Sequence, residues 1–550
     1  MTRPQSKYTA QDTIWDLSLS DVERAIRRSG NSAPGPDGIP YSAWRACRSF
    51  AAPVLFAALI QMTSAHGLDV LQTDYEDFNQ SILTFLPKKT EEVDEMGTPI
   101  YSPANTRPLN ITNTDNRIFA NAVRLKIEPI IGPEISEMQR GFVAQRSMLA
   151  NVVDVDTEMQ LTSFNSEHGL AIFPDFAAAF PSVEHDFIQD FMNSLDWPEW
   201  LTHFVRALYC NNRCFIAASG GHTVGFALNA GIRQGCPLSP LLFAVVADLL
   251  LRRLQRHFPS TLIRAYADDI ALVLKNGIEN LKRLEHMFQE YYLLSGLCIH
   301  HGKTVLVPLA PNCLDRIKTL VALEAPTWTD MKVKYHADYL GFVLGPDRAT
   351  KCWEKACNKY IERARIWGSI GGGFFHTISA YRTYILPVLS FLAQLEVVPS
   401  TWEDLEQSAC KLLFRGPRNW ISAGVLKGLK HIGFMDQLPD LRSLAMAAKC
   451  RVTRYENIAH GGLHLTERLR CLRHDRTHGF FSLRSAVWKR WYDEGFLENL
   501  VGARDGLRAK IGDETNLIRF MHGNVNNPAV VRKQWQRTCR SFLKPHAPNL

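Results

Sequence analysis

The sequence predicts an α+β fold, in which a small sheet carries acidic side chains at its strand ends and a long helical region follows. Three observations point there. Two apolar runs of strand composition, "GLAIFPD" (169–175) and "LIRAYADDIALVLK" (262–275), end or fold back at aspartates. Two others, "LSPLLFAVVADLLLRRLQRHF" (238–258) and "GIENLKRLEHMFQEYYLLSGL" (277–297), space their apolar residues as helices do. Beyond about residue 350 the pattern is mostly helical, with a Gly-rich break at "GSIGGGFF" (368–375).

The earlier elements follow in order. Residues 12–30 have helical spacing, with Ser20 as the cap candidate. "NSAPGPDGIP" (31–40) is dense in turn formers and reads by composition as a linker. "NQSILTFLPKK" (79–89) is a strand ending in two lysines, and 105–131 reads as a short strand, a turn and an amphipathic helix. "MQRGFVAQRSMLANV" (138–152) is rich in loop residues. Taken singly, Lys88, Lys89, Arg107, Arg117, Arg124, Arg140 and Arg146 read as solvated surface charges. There is no repeat of solenoid period and no heptad run.

A chain of 550 residues exceeds what one hydrophobic core usually supports, so several subdomains sharing one body are expected. A hydrophobic fraction of 46% excludes wholesale disorder. Twelve scattered cysteines read as reduced intracellular thiols, and none has the spacing of a zinc knuckle, "CLRHDRTH" (471–478) included. The polar N-terminus lacks a signal-peptide core. The longest apolar run, "LLFAVVADLLL" (241–251), is too short to span a bilayer, so a soluble protein without membrane contact is expected. The net charge of +7 is polarised: 451–550 carry 18 Lys/Arg against 9 Asp/Glu, the first 450 residues 44 against 46. Such a tail suits contact with a polyanion, and equally a solvated helical surface.

Adjacent acids inside an apolar hairpin need a partner, because burying unpaired charge is costly. Transfer of a nucleotidyl group to a 3′-hydroxyl needs two hard cations about 3.5–4 Å apart. Mg²⁺ prefers oxygen ligands and takes few of them from protein. Asp268 and Asp269 at a tight turn, with Asp175 at the end of a neighbouring strand, supply such a donor set. An exposed turn is the other reading of "YADD", since Asp is a common turn residue.

"YADD" (266–269) resembles the catalytic turn of reverse transcriptases, and "FPDFAAAFPSV" (173–183) their first acidic motif. "GIRQGCPLSPLLF" (231–243) is similar to the form found in non-LTR (LINE-type) retrotransposon enzymes. "SAPGPDGIP" (32–40), "FLPKK" (85–89), "NTRPLNIT" (105–112), "QRGFVAQRS" (139–147), "SGLCIHHGKT" (295–304) and "YLGFVLG" (339–345) resemble further motifs in that family's order, and 360–445 its thumb-side segment more loosely.

The resemblance implies a right-hand polymerase with an antiparallel palm sheet. Its parts would be an N-terminal extension (1–75), fingers (76–160), palm (161–310), primer grip and helical thumb (311–445), and a basic helical region of unknown role (446–550). Asp175 and Asp268 would be the principal metal ligands, with Asp269 in support, holding two Mg²⁺ for which Mn²⁺ could substitute. Lys303 would sit beside the pyrophosphate as a general acid. Phe180 would be the steric gate against ribonucleotides, excluding the 2′-hydroxyl by a clash. Gln234 and Gly235 would line the nucleotide pocket, Gly235 because backbone must approach the substrate closely. Arg107 and Lys88 would hold the triphosphate, and Tyr339, Leu340 and Gly341 would belong to the primer grip.

The implied activity is RNA-directed DNA polymerisation on an RNA template, with a DNA primer or target and dNTPs, in the nucleus. An RNA-dependent RNA polymerase is disfavoured by Phe180. A fold that binds RNA without polymerising is the alternative, since Pro174, Pro181 and His300 depart from the family pattern. The chain starts almost at the matched motifs, and no endonuclease is expected before them.

Overall fold

The computed structural model describes residues 15–448, apart from 89–91, 94, 96–98, 103–104, 196, 219, 311–313, 349–350, 417–419 and 446–447. Lys89, the basic segment 451–550 and "CLRHDRTH" within it lie outside the described residues.

Helix α1 (Leu19–Arg27) is capped two residues before the expected cap. Ser18, not Ser20, precedes it: its N–H and its hydroxyl both donate to the Asp21 carboxylate, at 3.0 and 2.7 Å. An acid in the first turn also suits the helix dipole. Helices α2 (Tyr41–Ala46), α3 (Arg48–Thr63) and α4 (Gly67–Thr73) follow. The segment 31–40 between α1 and α2 is no linker. Arg117, buried, donates to Ser32 Oγ and to the Ala33 carbonyl, and Asn113 Oδ1 accepts from the Asp37 N–H. The loop is thereby fastened to the following sheet and helix.

The fingers-side sheet is built from β1 (Ser81–Pro87) and β4 (Thr106–Thr112), joined through the short pair β2 (Glu92–Val93) and β3 (Pro99–Ile100). Helix α5 (Thr114–Ile131) buries its apolar face under α1 and α3. Helix α6 (Met148–Asn165) then leads into β5 (Leu170–Phe173), the short α7 (Ala179–Ser182), α8 (His185–Asn193) and α9 (Glu199–Tyr209). Strands β6 (Arg213–Ala218) and β7 (Gly221–Ala227) return to the first sheet, whose order is β4-β1-β6-β7.

Helix α10 (Ser239–His257) precedes the hairpin β8 (Leu262–Tyr266) and β9 (Asp269–Leu274). After α11 (Leu281–Ser295) come β10 (Val305–Pro308), α12 (Leu314–Glu324) and β11 (Lys332–Val333). The second sheet has the order β11-β10-β5-β9-β8 and is antiparallel except for its edge pair, β10 with β11. Its central strands are buried on both faces, which is why they read as continuous apolar runs. Leu170, Ile172, Leu272 and Leu274 face the core shared with α10 and α11, while Ala171, Phe173, Ala271 and Val273 face α6. Side chains alternate across a strand, so one apolar run serves two layers.

The hairpin β12 (Ala337–Tyr339) and β13 (Phe342–Leu344) packs into the second of these cores. Helices α13 (Glu354–Ile370), α14 (Phe374–Ala380), α15 (Pro387–Ser390), α16 (Trp402–Leu413) and α17 (Ala423–Gly428) bury a separate one, around Tyr360, Tyr381 and Trp402. Among the described residues no single helix is long and apolar enough to cross a membrane. Asp248, the acid in the apolar run of α10, is buried but satisfied: it accepts from the Ser136 N–H at 3.1 Å and from Arg252 Nε at 2.7 Å.

Candidate active site

The carboxylates singled out from sequence meet at the ends of three adjacent strands. Strands β5 and β9 pair as Leu170↔Leu274, Ala171↔Val273 and Ile172↔Leu272. Continuing that register brings Asp175 level with Asp269. Asp268 is the second residue of a two-residue turn closed by the Tyr266↔Asp269 pair. The first, Ala267, takes φ +59, as the twist of a tight hairpin requires of that position.

Asp175 is positioned by backbone on both sides. Its N–H donates to Thr304 Oγ1 at 3.2 Å, and its carbonyl accepts the His300 N–H at 2.6 Å. Position 300 therefore contributes its main chain, whatever its side chain. Lys303 Nζ lies 3.9 Å from Asp175 Oδ2, with both side chains reaching solvent. Pro174 follows the last residue of β5, so no ladder hydrogen bond is lost to it. Pro181 is the third residue of α7, within the first turn, where N–H groups have no intrahelical partner. Neither proline disturbs the site.

The electrostatics are those of crowded acids. Burial raises the Asp268 carboxyl above the usual range, and Asp175 raises it further, while Arg107 works the other way. Burial, with Asp268 and Asp175 beside it, pushes Asp269 up to about 6, although its side chain still reaches water. Among the described residues no three acids, histidines or cysteines close into a protein-only metal cage. The donor set fits a cation that completes its shell with phosphate and water, as Mg²⁺ does. A bound cation would also offset the mutual repulsion that raises both carboxyls.

That repulsion has a pH signature. A carboxylate must be ionised to ligate, so lowering pH through about 6 should protonate Asp269 and weaken Mg²⁺ binding. We expect the Mg²⁺ concentration for half-saturation to rise several-fold between pH 7.5 and 5.5, and the rise to shrink in Asp269→Asn. Isothermal titration across that range measures it; an equal rise in the variant would acquit Asp269. Stability of the metal-free chain should move oppositely. The folded state holds its proton more tightly than the unfolded chain, so this contribution is lost as pH rises from about 4 to 6.

The other expected residues are placed as follows. Phe180 stacks on Phe243 (4.4 Å between centroids, 12°) and meets Phe142 edge-on at 6.1 Å, so its ring is held on two sides. Gln234 gives its carbonyl to the Asn110 N–H at 2.8 Å, which stitches its loop to β4. Gly235 has φ +120, and a Cβ there would come within 2.6 Å of the Asn110 carbonyl oxygen. The glycine is thus required by packing against β4. Arg107, on β4, is exposed and near enough to act on Asp268; Lys88, just past β1, is exposed, and its N–H bonds to the Asn105 carbonyl.

Tyr339, expected in the primer grip, is the last residue of β12. It is buried, packs on Phe173, and its hydroxyl accepts from Asn151 and donates to the Arg264 carbonyl. It fastens the β12–β13 hairpin to α6 and β8, leaving Leu340 and Gly341 at the tip. The surface-charge reading also fails for four arginines. Arg117 is clamped on the 31–40 loop, Arg124 pairs with Glu128, and Arg140 with Asp154. Arg146 donates to the carbonyls of Ile135, Ser136 and Gln139.

Residues 86–344 match a family model described as "Reverse transcriptase (RNA-dependent DNA polymerase)". This stretch is a reverse transcriptase domain. Asp175, Asp268, Asp269 and the other expected site residues discussed above lie inside it. The chain is 27% identical over 354 residues to a Pol polyprotein from the type-1 retrotransposable element R2 of Nasonia vitripennis, covering 60% of this chain and 31% of that protein. It is 24% identical to the corresponding R2 protein of Popillia japonica, over 62% of this chain and 46% of the relative. To the transposon TX1 149 kDa protein of Xenopus laevis it is 23% identical, over 59% and 24%. The chain thus spans a quarter to a half of the length of these relatives. An apo telomerase from Candida Tropicalis aligns over 50% of this chain at TM-score 0.34 and 9% identity.

Four positions that shape the candidate site were given no such contact by the sequence reading. Thr304 and His300 hold the backbone of Asp175, and Gln139 and Phe142 pack against the catalytic turn and Phe180. All four stand in quoted motifs, but their targets lie across the fold, and a motif does not say where a side chain points.

Proposed function

We propose that this chain is the RNA-directed DNA polymerase of a LINE-type retrotransposon, copying an RNA template into DNA. The observation that carries this is the meeting of Asp175, Asp268 and Asp269 at three strand ends inside a reverse transcriptase domain. Reverse transcriptases use divalent metal ions, and the three carboxylates supply the oxygen donors.

Asp175 and Asp268 would hold the two Mg²⁺, with Asp269 in support. The ions would lower the pKa of the primer 3′-hydroxyl and neutralise charge on the leaving pyrophosphate. Arg107 would bind the triphosphate from β4, with Lys88 near the same end of the sheet. Lys303, already beside Asp175, could give its proton to the departing pyrophosphate. Gln234 and Gly235 would form the pocket wall that β4 fixes in place. The template RNA, the DNA primer and dNTPs are the partners of this reading, and a genomic DNA target would place the protein in the nucleus. Against the reading of a fold that binds RNA without polymerising, Pro174 lies just past β5 and Pro181 in the first turn of α7, where neither costs a backbone hydrogen bond.

The test is dNTP incorporation on a primed RNA template with Mg²⁺. A folded wild type that incorporates nothing would sink the proposal. The gate is tested beside it: Phe180→Ala should relax discrimination against ribonucleotides by about 10- to 100-fold, the range one steric contact in a pocket gives. Discrimination unchanged in the variant removes that role from Phe180.

A further inference from the structure

Ala267 is an odd residue for the corner of the catalytic turn. Its φ of +59 is left-handed, a conformation that a side chain disfavours and glycine allows. The Tyr266↔Asp269 closure of the hairpin demands that conformation without relieving it. What holds it comes from the segment 138–141, more than a hundred residues away in sequence.

That segment runs beside β8, joined to it by one parallel bridge, Gln139 to Ala265. The Ala265 N–H donates to the Met138 carbonyl, and the Arg140 N–H to the Ala265 carbonyl, both at 2.8 Å. At the turn, where backbone pairing would end, the Gln139 side chain takes over. Its Oε1 accepts the Ala267 N–H at 2.9 Å and the Gly141 N–H at 2.8 Å; its Nε2 donates to the Ala267 carbonyl at 3.1 Å. Two N–H groups converge on one atom, so that atom is the oxygen and the amide orientation is dictated. Gln139 is fully buried, which makes these bonds expensive to lose.

The support is itself held. Gly141 is pressed against the backbone of Ala267, where a Cβ would collide. The Arg146 guanidinium gathers the carbonyls of Ile135, Ser136 and Gln139, and Asp248 holds Ser136. Phe142, next in sequence, lies against Tyr266 and Phe180.

We propose that Gln139 is a positioning residue for the metal-binding carboxylates: it locks Ala267 in its left-handed conformation and thereby aims Asp268 and Asp269. This rests on the polymerase reading for its kinetic consequence, but not for its effect on metal binding. Gln139→Met keeps length and apolar bulk while removing every hydrogen bond. It should lower kcat about 10- to 100-fold, with KM for dNTP little changed, because displacement of about 1 Å costs that much. Mn²⁺ affinity, read from the free-ion electron paramagnetic resonance signal without substrate, should weaken by about the same order. Ala267→Gly, added to Gln139→Met, should restore much of both losses, since glycine needs no lock.

A Gln139→Met chain with wild-type kcat and Mn²⁺ affinity overturns the proposal. So does a loss that tracks only the unfolded fraction and is not rescued by Ala267→Gly. Should the variant not fold, amide exchange in the wild type decides. The Ala267 N–H should be protected like its β8 neighbours, and fast exchange there overturns the proposal. An inactive wild type whose Mn²⁺ affinity still falls on Gln139→Met would sink the polymerase reading and leave this one standing.

Discussion

Asp268→Asn, folded and assayed beside the wild type, loses dNTP incorporation by about 10³-fold or more, equivalent to about 4 kcal/mol of transition-state stabilisation. The substitution keeps the shape of the turn residue and changes only charge, so β8 and β9 should pair as before. What it removes is one of the negative oxygens converging with Asp175 and Asp269. Asp175→Asn should do the same, and Asp269→Asn should cost less. Single-turnover incorporation on a primed RNA, at saturating dNTP and Mg²⁺, measures the chemical step. Retained incorporation in Asp268→Asn, with the wild type active, would mean that the metals are held elsewhere.

Arg348→Met unfolds the protein more easily, by about 3–5 kcal/mol. Arg348 is buried and donates to Asp156 of α6 and to Glu396, beyond α15. Burial alone would lower its pKa, but the two carboxylates outweigh that and hold the guanidinium charged. The arginine thereby joins α6 to the segment after α15. Methionine fills much of the same space, yet leaves two buried carboxylates without the positive charge they face. Such a cost comes from the stranded acids rather than from the worth of the triad. Replacing Arg348, Asp156 and Glu396 together by apolar residues should therefore recover much of it. Denaturant midpoints of the single and triple variants measure both; an unchanged midpoint for Arg348→Met would refute the account.

Where a residue type was out of place in its own segment, the sequence was legible. Two acids in an apolar hairpin demanded a partner, and the two-layer strands advertised themselves as unbroken apolar runs. Turn-rich and basic segments misled, because composition describes a segment in water. The 31–40 loop reads as a linker until Arg117 and Asn113 are seen to hold it. Arg146 reads as a surface charge until three carbonyls are found around it. Ser20 lost the helix start to Ser18 because the cap is decided by which hydroxyl meets Asp21.

The sequence by itself determined the chemistry. It named the acids, placed them at strand ends and limited what they could bind, since carboxylate is a hard oxygen donor wherever it sits. Tertiary structure alone decided geometry. That Asp175 lies level with Asp269 is a matter of strand register, and that Gly235 must be glycine is a matter of the Asn110 carbonyl beside it. That Gln139 steadies a turn 128 residues away follows from a buried amide finding one strained peptide. Local preference cannot encode such contacts, because they exist only once distant segments have packed.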